Sequence, residues 1–341
     1  MIRDEVIVNG LNLPRMGKKK GEKFYPWQGA KSPFSHKNFV QVIEVQKDLN
    51  NMNLRALNAL NNGASSLLIK INNSEDILIV LKDIRLDICP IHILGGDQEK
   101  VSKAIDSLPD SQKPEEWHGS ISTRNFINEF DHIPRWQNRD KKFSSQKTTL
   151  PSNVRTICTN TKNISSTNCT DKVAFSIYNL AVQLNSAGWD NSKRCIVFLE
   201  AQENYLETIA MIQAIRILWN SYLEENGKSD TTLWICGETQ DKKFKKNPPE
   251  KLVGRSLEAQ SLWLGGCDEI IIHPVAESTE AEQWARDQFL ILAYETKLSG
   301  HKDVLKGSYL LDSWSEKIIS EAENKIDLWL ENSSLIMNKI K

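Results

Sequence analysis

Short β-branched apolar runs alternate with longer segments of helical periodicity from about residue 40 onward, in eight successive units. This alternation is typical of parallel strands covered by helices. Strands that are apolar on both faces belong in sheets buried on both sides, and eight such units with no remaining edge close into a barrel. The pattern therefore predicts an α/β fold, a (β/α)8 TIM barrel with an additional C-terminal helix. An open doubly wound sheet is the alternative architecture.

The predicted strands and helices follow one another along the chain. The strands are predicted at Val40–Gln46, Ser65–Ile71, Ile88–Leu94, Trp117–Ser122, Val154–Thr159, Cys195–Glu200, Thr232–Gly237 and Glu269–His273. The helices are predicted at Leu49–Asn62, Glu75–Ile84, Glu99–Ser107, from near Arg124 to His132, and at Asp171–Ser186, Tyr205–Leu223, Leu252–Leu264, Glu280–Leu298 and Ser313–Leu330. Ser74 is a candidate N-cap of the second helix.

Three segments are expected: an N-terminal extension at residues 1–39, the barrel at 40–310 and a C-terminal helical segment at 311–341. Residues 134–151 are polar and rich in lysine, which indicates a surface excursion within the barrel. The final helix carries apolar residues along one face. It is able to pack either on the barrel or on another subunit.

Composition narrows the function classes. The chain has 43 basic and 44 acidic residues and a net charge of −1, so it has no general attraction for nucleic acid or an anionic membrane. No apolar stretch is long enough to span a membrane, and the first residues lack an apolar secretion signal. The six cysteines form no C-x2-C pair, so we predict no metal site. Four of them lie in apolar runs, where a thiol is a small buried hydrophobe, which indicates a reducing, cytoplasmic location.

Reactive groups of such a barrel are expected after the carboxyl ends of the strands. Four acids stand there, Asp97, Glu200, Glu203 and Glu238, and a pair of them is able to transfer protons or bind an oxygen-preferring metal. The competing interpretation, which we favour, is that each caps a helix or faces water. His273 also stands at a strand end, either as a general base or as a structural histidine.

Glycine pairs and lysine runs are weaker signals. Gly95-Gly96 and Gly265-Gly266 belong to no phosphate-binding motif, and turn formation explains both pairs. The runs Lys18–Lys20 and Lys242–Lys246 are able to attract an anion such as the phosphates of coenzyme A, although exposed lysines most often serve solubility. Neither feature defines a site.

The segment from Asn204 to Tyr309 resembles the barrel domain of the methylmalonyl-CoA mutase family. The helix from Tyr205 to Trp219 is similar to the family's F-x-x-i-A-k-l-R-A-x-R-x-l-W. Three further stretches are similar, in order, to E-A-x-A-A-x-x-G-G, to A-R-N-x-Q-x-x-L-x-x-E-S and to D-P-x-x-G-S-Y. They lie at Leu257–Gly266, Ala285–Glu295 and Asp303–Tyr309.

The departures from the family pattern bear on catalysis. The family's active members carry a tyrosine and a histidine after strand five, and the resemblance puts Lys162 and Asn163 at those positions. The tyrosine expected near strand one is missing between Phe39 and Leu54. Glu295 matches an acid that contacts the cofactor's adenosyl group in active members, and we treat it here as a relic or structural residue.

The resemblance therefore implies a small, non-catalytic subunit. Active members carry a cobalamin-binding domain with a D-x-H-x-x-G motif, and no D-x-H occurs in this sequence. Adenosylcobalamin and catalysis are thus expected in a large partner subunit that interconverts methylmalonyl-CoA and succinyl-CoA, with this chain binding no cofactor. Two alternatives stay open: an independent barrel that binds an acyl-CoA or another anion, and a stand-alone barrel enzyme of different chemistry.

Overall fold

The computed structural model describes residues 5–8, 11–14, 37–43, 48–109, 117–122, 154–166, 168–228, 231–240, 247–298, 305, 307–332 and 335. The strands are β1 (Glu5–Val8), β2 (Leu11–Pro14), β3 (Asn38–Ile43), β4 (Ser66–Lys70), β5 (Ile91–Leu94), β6 (Gly119–Ser122), β7 (Val154–Arg155), β8 (Ile157–Asn160), β9 (Cys195–Glu200), β10 (Trp234–Glu238) and β11 (Glu269–Ile271). The helices are α1 (Leu49–Asn61), α2 (Asp76–Val80), α3 (Gln98–Asp106), α4 (Cys169–Ala187), α5 (Tyr205–Glu225), α6 (Pro248–Gly265), α7 (Thr279–Leu290) and α8 (Tyr309–Glu331).

Within these residues, nine strands form one parallel sheet in the order β7-β6-β5-β4-β3-β11-β10-β9-β8. The two end strands are consecutive in the chain and flank Thr156, whose amide donates to the carbonyl of Arg194. They are the two halves of the single strand predicted at Val154–Thr159. One half pairs with β6 and the other with β9, so the sheet closes into a barrel of eight positions and the predicted fold class is confirmed.

Capping side chains explain where several helices begin and end. Asn168 accepts from the amide of Thr170 at the start of α4, and Asn247 caps α6 ahead of a proline in its first turn. Gly266 ends α6 in the left-handed conformation, with φ of 95°. These helices pack their apolar faces on the outside of the barrel, where most of the buried core lies.

A second apolar cluster lies inside the barrel and is formed by inward-facing side chains of six strands. Its buried members are Val40, Leu68, Cys158, Ile196, Phe198, Cys236 and Ile271. Filling the interior in this way is the ordinary packing of a TIM barrel, which is a core and not a pore. At the carboxyl ends of the strands, Leu68, Phe198 and Ile271 of this cluster border open space.

The second βα unit differs from its prediction. Helix α2 is only five residues long, and its N-cap residue is Glu75 rather than Ser74. The Ser74 hydroxyl instead accepts a hydrogen bond from the amide of Asp97 at 3.1 Å. Ser74 thus ties this loop to the neighbouring loop, and its prediction as a cap was wrong because a tertiary partner outcompeted the local one.

Two boundaries also differ. Turns occupy residues 86–88, so β5 begins at Ile91, directly after Pro90, and not at Ile88. The helix predicted at Glu280–Leu298 stops being α-helical at Leu290 and continues as a π-helix over Ile291–Glu295. The apolar pattern runs through both boundaries, which is why periodicity alone missed them.

The C-terminal helix α8 packs on the barrel, against α4 and α5. The ring of Trp329 contacts that of Tyr178 edge to face, with centroids 6.0 Å apart. Lys325 forms an ion pair of 2.8 Å with the buried Asp171 of α4. Of the two expected positions of this helix, on the barrel or on another subunit, the structure shows the first.

The N-terminal extension, for which no element was predicted, contains the antiparallel hairpin β1–β2. The end of the strand predicted at Val40–Gln46, the helix predicted from Arg124 to His132, the excursion at 134–151 and both lysine runs lie outside the described residues. Asp303 lies outside them as well.

All six cysteines are buried and unbridged. Burial raises the pKa of the Cys89, Cys158 and Cys267 thiols to about 12. No helix of the described residues combines the length and the apolar character that a bilayer crossing requires.

Candidate functional site

A cavity of about 250 Å³ lies at the carboxyl ends of the barrel strands. Apolar side chains line part of it, and polar side chains from the strand ends line the rest. The polar and charged lining residues are Lys70, Ser122, Thr159, Asn160, Lys162, Asn163, Glu238 and His273. The site therefore occupies the face on which barrel enzymes carry their reactive groups.

Three charged or titratable side chains meet in this cavity. The Glu238 Oε2 atom lies 2.6 Å from Lys162 Nζ and 2.9 Å from His273 Nε2. Glu238 is the last residue of β10, and His273 follows β11 by two residues. Lys162 lies in a single 3-10 turn, Thr161–Asn163, directly after β8. Three strand ends thus supply one contiguous cluster, which we call the mouth triad: Lys162, Glu238 and His273.

Hydrogen bonds to neighbouring loops hold this geometry. The Asn160 side chain accepts from the amide of Lys162 at 2.9 Å and so starts the turn that carries the lysine. The Thr239 hydroxyl accepts from the amide of His273 at 2.9 Å, and Arg255 of α6 donates to the same hydroxyl. Backbone bonds therefore fix the positions of Lys162 and His273 independently of their side-chain contacts.

Electrostatics make Glu238 an anion at neutral pH. Burial acts to raise the pKa of this carboxyl, but the hydrogen bond from His273 and the positive charge of Lys162 outweigh burial and lower the pKa from its ordinary value. The side chain of Glu238 is 9% exposed and that of Lys162 is 34% exposed. The carboxylate is therefore enclosed, whereas the ammonium group reaches solvent.

Of the sequence candidates, Glu238, His273, Lys162 and Asn163 come together in this cavity. The other acids do not join them. Asp97 caps α3 by accepting from the amide of Lys100, as the favoured interpretation has it. Glu200 and Glu203 are absent from the described lining, and Glu203 is exposed.

Glu295 lies elsewhere. It is exposed at the end of the π-helix and is not among the described residues that line the cavity. The two glycine pairs also lie outside the lining: Gly95 and Gly96 follow β5 with positive φ, and Gly265 packs against Ile212 of α5.

The mouth triad suits anion binding or proton transfer better than metal binding. A lysine ammonium occupies the place beside the carboxylate that a cation would need. No group of three or more His, Cys, Asp and Glu side chains suitable for a metal occurs among the residues that the structure describes.

Sequence reasoning missed a second polar cluster at the opposite end of the barrel interior. Glu269, the first residue of β11, lies with its Oε2 2.6 Å from Nε2 of His92 and accepts from the indole of Trp234 at 3.0 Å. His92 also contacts the hydroxyl of Ser120 through Nδ1 at 2.8 Å. The available signal was a histidine and an acid within strands predicted to be buried on both faces, since such charges need partners.

Residues 183–331 match a family model described as methylmalonyl-CoA mutase. This match supports the methylmalonyl-CoA mutase family over the part of the chain that carries the four motif similarities. Lys162 and Asn163 precede the matched segment.

Similar solved structures include three dihydropteroate synthases. The Plasmodium falciparum HPPK-DHPS wild type with SDX-DHP is 13% identical, with 77% of this chain and 47% of that chain covered and a TM-score of 0.43. The Xanthomonas albilineans enzyme with 7,8-dihydropteroate is 10% identical over 76% and 94%, with a TM-score of 0.41. The Yersinia pestis enzyme with a pterine-sulfa conjugate is 11% identical over 75% and 95%, with a TM-score of 0.41.

The chain spans about half the length of the Plasmodium structure that it matches. No curated protein matches the chain.

Proposed function

We propose that this chain is the non-catalytic small subunit of an adenosylcobalamin-dependent methylmalonyl-CoA mutase, which supports a large catalytic subunit in a heterodimer. One observation carries the proposal: the ion pair between Lys162 and Glu238 occupies the barrel mouth at the position where the family resemblance calls for a tyrosine followed by a histidine.

The chemistry of the replacement argues against catalysis by this chain. A tyrosine offers a neutral hydroxyl and an aromatic face, and a histidine is able to exchange a proton near neutral pH. Lys162 offers a hydrated point charge that is engaged by Glu238, and Asn163 offers an amide that does not titrate. The two groups therefore cannot take over the roles that they replace.

The size of the cavity argues against the binding of an acyl-CoA by this barrel alone. A volume of about 250 Å³ lies below the roughly 300–1,000 Å³ of pockets that enclose drug-sized ligands. An acyl-CoA is larger than such ligands. The cavity formed by the described residues thus accepts a small group, which disfavours the alternative of an independent acyl-CoA-binding barrel.

The residues of this chain do not fit adenosylcobalamin. The sequence contains no D-x-H motif to supply a cobalt-ligating histidine. Glu295, the match to the adenosyl-contacting acid, is exposed and lies outside the cavity lining. We therefore assign the cofactor and the rearrangement of methylmalonyl-CoA to the partner subunit and derive no step through this chain.

This chain would stabilise the catalytic subunit by burying part of that subunit's surface in the interface. Obligate interfaces commonly bury about 2,000 Å² or more, and a partner that binds only the folded state stabilises that state. The catalytic subunit is accordingly expected to unfold at a higher temperature in the complex than alone.

The test is co-expression of this chain with a cobalamin-binding subunit of the same family. We expect a one-to-one complex by size-exclusion chromatography with light scattering, and mutase turnover by the complex. This chain alone, supplied with adenosylcobalamin and methylmalonyl-CoA, is expected to show no turnover. A chain that stays monomeric beside the partner, or that turns over substrate alone, overturns the proposal.

A variant of this chain separates support from shared catalysis. Glu295→Gln removes the acid that matches an adenosyl contact, on a side chain that is exposed and outside the cavity lining. Turnover by the complex is expected to stay unchanged. A loss of turnover without loss of the complex would show that this chain contributes to the cofactor site.

A further inference from the structure

We propose that the mouth cavity binds a short-chain aliphatic carboxylic acid in its ionised form, with Lys162 as the charged contact. This inference goes beyond the proposed function, which requires no ligand in this barrel. It rests on the lining of the cavity, whose polar side offers hydrogen-bond donors and whose inner side is apolar.

The polar side is rich in donors. The Lys162 ammonium has three N–H groups, and the described structure gives it one side-chain partner, the Oε2 atom of Glu238. The amide groups of Asn160 and Asn163 line the same cavity. A carboxylate accepts at two oxygens and matches such a set, and its bonds to an ammonium group are among the stronger ones in proteins.

The apolar side lies deeper in the barrel. Leu68 stands two residues before the strand end at Lys70, and Phe198 stands two residues before Glu200, so both point inward below the mouth. Val42, Ile93, Leu94 and Ile271 also line the apolar part of the cavity. A short alkyl chain that extends inward from the carboxylate would cover these surfaces, with a gain of roughly 25 cal/mol for each Å² of apolar area buried.

The contacts of Glu238 allow the carboxylate of a ligand to bind close to it. Lys162 and His273 both contact Glu238 at Oε2, so its negative charge is already offset within the mouth triad. The Lys162 side chain is 34% exposed, which leaves its ammonium accessible to a ligand entering from the mouth. Inorganic phosphate lacks the alkyl part that the inner wall accommodates.

The experiment is a calorimetric titration of the full chain with butyrate, butyramide and inorganic phosphate at pH 7.5 and constant ionic strength. We expect butyrate to bind at millimolar concentrations, with butyramide and phosphate each at least ten times weaker. Lys162→Met is expected to weaken butyrate binding about tenfold or more, the range for a lost hydrogen bond to a charged group.

Lys103→Met is the matched control, because Lys103 is an exposed lysine on α3 outside the cavity lining. It should leave butyrate binding unchanged. Equal binding of butyramide, equal binding of phosphate, no butyrate binding at tens of millimolar, or an unaltered affinity in a folded Lys162→Met variant would each overturn the proposal. None of these results bears on whether the chain forms a complex with a catalytic subunit.

Discussion

Two glutamate–histidine pairs lie at opposite ends of the same barrel interior. At the carboxyl end, Glu238 and His273 are 9% and 11% exposed and border a cavity, and Glu238 also contacts Lys162. At the amino end, Glu269 and His92 are 0% and 1% exposed. In both pairs burial acts to raise the pKa of the glutamate, and the histidine and its neighbours lower it overall.

The difference between the pairs lies in what surrounds them. The amino-end pair is enclosed by the indole of Trp234 and the hydroxyl of Ser120, while Arg155 lies 4.0 Å from the Trp234 ring centroid. The amino-end pair is closed off from solvent, so it contributes to structure. The carboxyl-end pair keeps an accessible cation and open space beside it. Access, and not the identity of the two residues, distinguishes the structural pair from the pair at the proposed binding site.

The largest effect is expected from Glu269→Ala. His92 is 1% exposed, and removal of one partner of a buried ion pair typically costs about 3–5 kcal/mol. Urea denaturation at neutral pH measures the change in the free energy of unfolding. Glu99→Ala, at an exposed ion pair with Lys103, is the control and should have little effect. A loss for Glu269→Ala no larger than that of the control would show that the amino-end pair does not stabilise the fold.

Glu238→Ala is expected to destabilise the protein less, by about 1–3 kcal/mol, because Lys162 can turn toward solvent when its partner is removed. The same urea titration applies. Glu238→Gln keeps the side-chain volume and should recover part of the loss. An equal loss of unfolding free energy for Glu238→Ala and Glu269→Ala would show that access to solvent does not set the cost of removing the glutamate.

The smallest effect is expected in how the free energy of unfolding falls with pH under acidic conditions. A carboxyl whose pKa is lower in the folded state stabilises the protein above its unfolded pKa, near 4.3, and this stabilisation is lost as the pH falls through the folded pKa. Each such group contributes at most about 1.4 kcal/mol per pH unit. Glu238→Gln should therefore make the fall in unfolding free energy below about pH 4.3 shallower. An unchanged slope would contradict the lowered pKa of Glu238.

The sequence predicted the barrel because its strands are apolar on both faces and alternate with helices. It could not predict the break at Thr156, since no change in the apolar pattern marks where β7 ends and β8 begins. It also missed that Ser74 bonds to the next loop, because local cap preferences carry no information on tertiary partners.

The site was partly predictable for a similar reason. Glu238 and His273 were candidates because they stand at strand ends, and Lys162 because of the family resemblance. Their meeting at one carboxylate oxygen depends on the order and curvature of the strands in the closed sheet. β11 lies directly beside β10, and β8 lies on the other side of β10, beyond β9. Linear order separates Lys162 from His273 by more than a hundred residues, so no spacing rule connects them.

The burial of every cysteine has a practical consequence for measuring this molecule. Three of the six thiols, those of Cys158, Cys195 and Cys236, lie in adjacent barrel strands, with pKa values raised by burial. Thiol reagents attack the thiolate, and burial in the closed barrel both disfavours this form and shields the sulfur. Labelling therefore reports barrel opening, and the order in which the three cysteines react traces how the ring of strands comes apart.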